Sequence, residues 1–203
     1  MNTMDMENVL KHLSKDAKLK TIIDQIVLPI RNPAPNVFEG LLRSIVSQQL
    51  SVKAAATIHK RFVTLYDGKP SSKLILNTPI ETLRSVGLSH QKANYIKNVA
   101  TYFTEEQLFD IDWNQFDDDQ IIEMLVSIKG VGKWTAQMIL MFVLNRPDVF
   151  PVLDLGIQLS IKEIYNINLE KKQLHKKMLE LSQQWRPHRT VACLYFWAIR
   201  DSK

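Results

Sequence analysis

The stretch Leu125-Val126-Ser127-Ile128-Lys129-Gly130-Val131-Gly132-Lys133-Trp134-Thr135-Ala136 carries the strongest signal in the chain. A helical pattern ends near Ser127, a short loop holds Gly130 and Gly132 either side of Val131, and a second helical pattern starts at about Lys133. Two glycines one residue apart permit positive φ and clear side chains from the loop surface. Backbone N–H groups beside a helix N-terminus can then receive a phosphate. Lys129 and Lys133 add charge that reads a backbone rather than a base sequence. A Gly-x-Gly between helices is, by itself, equally a tight turn. It is no dinucleotide fingerprint, because the preceding element is helical and not a strand.

Outward from this loop the chain reads as helical nearly throughout. Ile22, Ile23, Ile26 and Val27 recur at helical spacing before Pro29, and Pro33 and Pro35 make a linker. Phe38, Leu41, Leu42, Ile45 and Val46 fit a helix running to about Gln49. Ser51 suits an N-cap for the next, with Val52, Ala55, Ala56, Phe62 and Val63 expected on its apolar face. Asn77-Thr78-Pro79 reads as a cap and first-turn proline for a short helix ended by Gly87. Ser89 caps another helix, and the segments DDDQIIEMLVSI, KWTAQMILMFVLN, LGIQLSIKEIY, LEKKQLHKKMLELSQQW and RTVACLYFWAIR continue the pattern. The expectation is an all-α fold of roughly eight to ten helices with short connections.

Composition narrows the function classes. The 203 residues allow one domain or two small ones. One cysteine, Cys193 in an apolar run, excludes an internal disulfide, a four-cysteine zinc site and an all-cysteine iron–sulfur cluster within this chain. The five histidines show no zinc-ligand spacing. The N-terminal stretch lacks an apolar signal core, and no apolar run approaches the about 20 residues that span a bilayer, so an intracellular protein with no membrane partner is expected. The net charge of +5 hides an asymmetry. Residues 98–128 hold eight acids and no Lys or Arg, which leaves 26 bases against 13 acids elsewhere, a net +13. A polyanion must therefore dock away from the acidic stretch.

Beyond the glycine loop lies Asp148-Val-Phe-Pro-Val-Leu-Asp154-Leu-Gly-Ile157. Asp154 stands where an N-cap would stand for the helix LGIQLSIKEIY. With IKGVGKWTA before it, this segment resembles the helix–hairpin–helix DNA glycosylase superfamily, in particular the 3-methyladenine DNA glycosylase II type. Three further stretches carry the resemblance: FEGLLRSIVSQQLSV (38–52), VGLSHQKANYI (86–96) and WRPHRTVA (185–192), the last followed by Tyr195-Phe196-Trp197. The match spans about Pro35 to Trp197.

The resemblance implies a compact helical glycosylase fold with its active site in a cleft between two helical subdomains. It divides the chain into an N-terminal helical segment, 1–34, packing on a glycosylase core, 35–203, without the additional N-terminal domain of larger bacterial relatives. Asp154 matches the catalytic carboxylate, and Trp134 and Trp197 match positions lining the base pocket. Gly130, Val131, Gly132, Lys133 and Thr135 match the phosphate-gripping hairpin, whose carbonyls also hold a monovalent cation in relatives. Gln49 or Leu50 stands where relatives insert a wedge into the duplex, Leu50 being equally a core residue.

Strand-cleaving relatives carry a lysine where this chain has Trp134. Lys133 lies one residue early, a turn of about 100° on a helix. A monofunctional enzyme with no cluster and no required cofactor is implied, acting as a monomer on double-stranded DNA containing alkylated bases. Arg186 and Arg189 either meet phosphate or pair with acids, and Asp148 reads as part of a helix-ending loop. The rival reading is a non-catalytic DNA-binding module that uses the hairpin only as a phosphate clip.

Overall fold

A computed structural model describes residues 3–28 and 34–202, with side chains described from Met6 onward. Pro33, expected in a linker, and Pro29, before which the helical spacing was read, lie outside the described residues. The chain divides into two units. One comprises 33–144, and the other joins 1–32 to 145–203. The N-terminal helices thus belong with the C-terminal third of the chain.

In the first unit the helices are α3 (Val37–Ser47), α4 (Val52–Thr64), α5 (Ser72–Asn77), α6 (Ile80–Ser85), α7 (His90–Glu105), α8 (Asp118–Val126) and α9 (Lys133–Phe142). The long α7 packs against α3, α5 and α6, and α9 packs against α3 and α8. α3 and α9 approach closely at Gly40, where a Cβ would lie 2.7 Å from Val143 Cγ2. Phe38 and Phe103 anchor the core with ring centroids 5.3 Å apart. The acidic stretch supplies caps: Asp117 and Gln120 form a reciprocal capping box at the start of α8. Glu105, Glu106, Asp110, Asp112 and Asp119 are exposed.

The second unit holds α1 (Thr3–Leu13), α2 (Ala17–Ile23), α10 (Leu155–Tyr165), α11 (Lys171–Ser182) and α12 (Arg189–Asp201). α12 packs on α10 and α2. Trp185, in the short turn before α12, is fully buried against Phe196 (centroids 5.1 Å apart), Phe150 (5.9 Å) and Tyr165 (6.2 Å). Its indole N–H donates to Asp16 Oδ2 at 3.0 Å, and the Tyr165 hydroxyl donates to the same oxygen at 2.5 Å. Asp16 is itself the N-cap of α2, so one buried carboxylate ties the N-terminal helices to this core. α10 ends at Asn166 in the left-handed region (φ 53°), with Ile167 N–H closing back on Lys162 O at 2.9 Å.

The all-helical expectation holds, but the helix number does not: among the described residues there are twelve α-helices, more than the eight to ten expected, and no strand. Details differ. α2 stops at Ile23, and Val27 is 95% exposed, so the apolar spacing at 22–27 is not one helix face. On α4 only Ala55 and Phe62 are buried, while Val52 and Ala56 face solvent. Asn77 ends a helix that the sequence did not announce, α5, and Pro79 caps α6. No helix among the described residues is long and apolar enough to cross a membrane.

Candidate active site

Asp154 is the N-cap of α10, and its burial is nearly complete at 8% exposure. Its Oδ1 accepts the Ile157 backbone N–H at 2.9 Å and the Trp197 indole N–H at 2.9 Å. The capping bond fixes the carboxylate to the positive end of α10. The indole bond adds a second direction from α12, so the carboxylate has a set orientation. Gly156 makes room for this pair: a Cβ there would lie 3.1 Å from both Asp154 Oδ1 and Trp197 Cδ1. Trp197 therefore has a role the sequence did not show, holding the carboxylate by its ring N–H.

The loop before Asp154 is secured to the start of α12. Asp148 Oδ1 accepts from Arg189 Nε at 2.7 Å, and Asp148 Oδ2 accepts from Arg189 Nη2 at 3.0 Å and Arg186 Nε at 2.8 Å. The open alternative for these arginines resolves in favour of an acid partner. Thr190 adds two bonds, accepting Val149 N–H at 3.1 Å and donating its hydroxyl to Arg146 O at 2.6 Å. Cys193 is buried on the same helix beneath this loop, its thiol 3.9 Å from Val149 O. Burial pushes that thiol well up, and the Asp154 charge adds to the effect, so it is no nucleophile at neutral pH. Among the described residues, no group of three or more His, Cys, Asp or Glu side chains could hold a metal ion.

The hairpin lies in the other unit. Ser127 closes α8, Val131 N–H returns to Ile128 O at 2.9 Å, and Gly132 caps α9. Of the two glycines only Gly130 needs positive φ (109°); Gly132 is extended at −96°. A Cβ on Gly130 would lie 2.2 Å from Tyr95 Cγ. Gly132 has open space where a Cβ would be, and no side chain caps α9. The helix start is thus left open to an incoming anion. Lys129, Lys133 and Trp134 are exposed beside it, Trp134 at 42%. Val131 and Thr135 are buried. What these two can offer a phosphate is backbone, not side chain.

Two hairpin carbonyls are already engaged, Lys129 O by Asn98 Nδ2 at 3.0 Å and Gly130 O by Gln48 Nε2 at 3.3 Å. Gln48 precedes the turn that carries Gln49 and Leu50, both exposed, with Gln49 in the left-handed region at φ 57°. Leu50, 38% exposed, is not a core residue. Sequence reasoning did not find these contacts of Gln48, Asn98 and Tyr95, because they join segments far apart in the chain.

The family model described as HhH-GPD superfamily base excision DNA repair protein matches residues 42–187. An alkylbase DNA glycosidase-like protein of Schizosaccharomyces pombe is 31% identical over 202 residues, covering 96% of this chain and 94% of that protein. The structure of the 3-methyladenine DNA glycosylase of the same yeast in complex with abasic DNA aligns with a TM-score of 0.80 at 29% identity, covering 94% of this chain and 95% of that one. A DNA-3-methyladenine glycosidase structure from Bacillus halodurans aligns with a TM-score of 0.76 at 34% identity, covering 92% and 85%. The matched segment contains both the glycine hairpin and the capped aspartate, so the two features that organise this molecule are also the ones that place it: the chain belongs to the HhH-GPD superfamily of base excision DNA repair proteins.

Proposed function

We propose that this protein is a monofunctional DNA glycosylase that flips alkylated bases of the 3-methyladenine and 7-methylguanine type out of duplex DNA and hydrolyses the N-glycosidic bond, leaving an abasic site. The observation that carries this reading is the buried Asp154 carboxylate, held by the Ile157 N–H and the Trp197 indole. A module that only clips phosphate could use Asp154 as a cap for α10, but would not need the second bond that orients it from Trp197.

The target bond is hidden inside the duplex, so the nucleotide must leave the stack. The exposed Gln49–Leu50 turn is the wedge that fills the gap. The hairpin, through its backbone N–H groups and Lys133, holds a phosphate and keeps the DNA in register. Alkylation makes the base electron-poor and a better leaving group, and indole faces stack well on such a base. As the base departs, positive charge develops on the sugar. Asp154 opposes that charge and orients the water that attacks C1′. A preorganised group of this kind is worth about 10²–10³ in rate. Lys133 lies on the first turn of α9 beside Trp134 and meets phosphate, with no Schiff base to the sugar. A monovalent cation at the hairpin would be held by its backbone carbonyls, two of which, Lys129 O and Gly130 O, also accept an amide N–H. The enzyme acts as a monomer, inside the cell, where the DNA is.

The test is base release. Duplex DNA methylated with dimethyl sulfate is incubated with the protein, and free bases are separated by chromatography. Released 3-methyladenine or 7-methylguanine, with an intact abasic strand and no borohydride-trapped adduct, is the expected result. Binding without release overturns the enzyme reading, and a trapped adduct overturns the monofunctional one.

A further inference from the structure

Lys92 sits on the first turn of α7, three residues after the Ser89 cap. A cation there is badly placed for its own helix, whose N-terminal end is positive. Its side chain instead reaches the opposite pole of another helix. Lys92 Nζ donates to Val46 O at 2.8 Å, in the last turn of α3, and to Gln48 O at 2.7 Å, on its C-cap residue. Partial burial pulls the ammonium below its ordinary range, so both bonds are made with reduced competition from water.

The Gln48 carbonyl belongs to the peptide that leads into Gln49. Holding that oxygen sets the peptide plane from which the φ of Gln49 is turned. That φ is 57°, in the left-handed region where a glutamine is disfavoured. Such conformations persist only where surrounding contacts over-determine them. The contacts here are the Lys92 ammonium on the Gln48 carbonyl and the Gly130 carbonyl on the Gln48 amide. The same α7 serves the hairpin directly. Tyr95, one turn beyond Lys92, packs against Gly130, and Asn98, a further turn on, bonds Lys129 O. Residues three apart on a helix share a face. One face of α7 therefore holds both the exposed Gln49–Leu50 turn and the hairpin.

We infer that Lys92 is a positioning residue for base flipping: its ammonium, through the Val46 and Gln48 carbonyls, holds the Gln49–Leu50 turn ready to enter the duplex at a fixed separation from the phosphate-gripping hairpin. Lys92 takes no part in bond breaking. The inference rests on the glycosylase reading above and adds a residue that governs extrusion and not chemistry.

The experiment compares Lys92→Met with wild type on two duplexes carrying 7-methylguanine, one opposite cytosine and one opposite an abasic spacer, where no pair has to be broken. Single-turnover excision from the paired duplex is expected to fall about tenfold or more, with a loss at least threefold smaller opposite the spacer, because two charge-assisted bonds to the turn are gone. Affinity for undamaged duplex stays within about threefold, since the hairpin still grips. Equal loss on both substrates, or no loss, overturns the inference, because damage to the fold alone cannot tell a paired lesion from an unpaired one. Gln48→Ala, which removes the link to Gly130, must show the same selectivity and carries the test if Lys92→Met does not fold. Wild-type protein that leaves both duplexes intact counts against the alkylbase reading itself, a result distinct from a wild type that acts and a variant that acts alike.

Discussion

The hairpin and the Asp154 site hold their working groups in opposite ways. At the hairpin, side chains of the scaffold grip backbone: Asn98 and Gln48 take the carbonyls of Lys129 and Gly130, and the N–H end of α9 faces outward without a side-chain cap. At Asp154, backbone and scaffold N–H groups grip a side chain. The first arrangement presents donors and suits an anion. The second presents one oriented negative charge and suits a developing cation. Grip and chemistry are thus separable, and single substitutions should divide them.

The largest effect is expected at the carboxylate. Asp154→Asn keeps an N-cap oxygen and the bond from Trp197, so the fold and DNA affinity remain. Loss of the charge lowers single-turnover excision on the order of 10²–10³-fold, measured as free base released. The hairpin answers differently. Gly130→Ala puts a Cβ on a φ of 109° and against the Tyr95 ring. DNA affinity, followed by fluorescence anisotropy, should fall on the order of a hundredfold. Trp197→Phe keeps an aromatic face and removes the N–H on Asp154 Oδ1 together with part of the ring. Excision should slow by about tenfold with little change in duplex binding. A proportional loss of binding would mean that Trp197 works on the DNA and not through the carboxylate.

The smallest effect separates stability from both functions. His59 and His188 are held below their ordinary value of 6.5, in each case first by burial, then by Arg43 for His59 and by His12 for His188. A base with a lowered folded pKa favours the folded state while neutral. Its contribution is full above 6.5 and is lost as the pH falls through the lower folded value. The melting temperature should therefore drop on acidification below 6.5, and His188→Gln should flatten part of that drop. A melting temperature that rises on acidification would contradict these directions.

Much of this was legible in the sequence because it is local. The glycine hairpin, the Ser89 and Asp154 caps and the bounds of α10 rest on residues within a turn or two of each other, where caps and apolar spacing decide. What stayed hidden joins distant segments. The Trp197 bond to Asp154 spans 43 positions, the Lys92 bond to Val46 spans 46, and the Trp185 bond to Asp16 spans 169. No periodicity encodes such pairs. The six-residue α5 is too short to show a helical pattern, and the apolar run at 22–27 resembled a helix face that Val27 does not join. Gly132 misled in a smaller way: its value lies in an absent side chain, not in a positive φ.

The central claim is that the carboxylate does the chemistry while the hairpin does the holding. Its most direct test sets Asp154→Asn beside Gly130→Ala and measures, for each, the single-turnover excision rate at saturating protein together with the duplex Kd. On a lesion opposite an abasic spacer, where no pair has to be broken, the account predicts a crossed result: Asp154→Asn loses rate and keeps affinity, while Gly130→Ala loses affinity and keeps most of its rate once saturated. An Asp154→Asn protein that excises at the wild-type rate, or whose rate and affinity fall together, would contradict it.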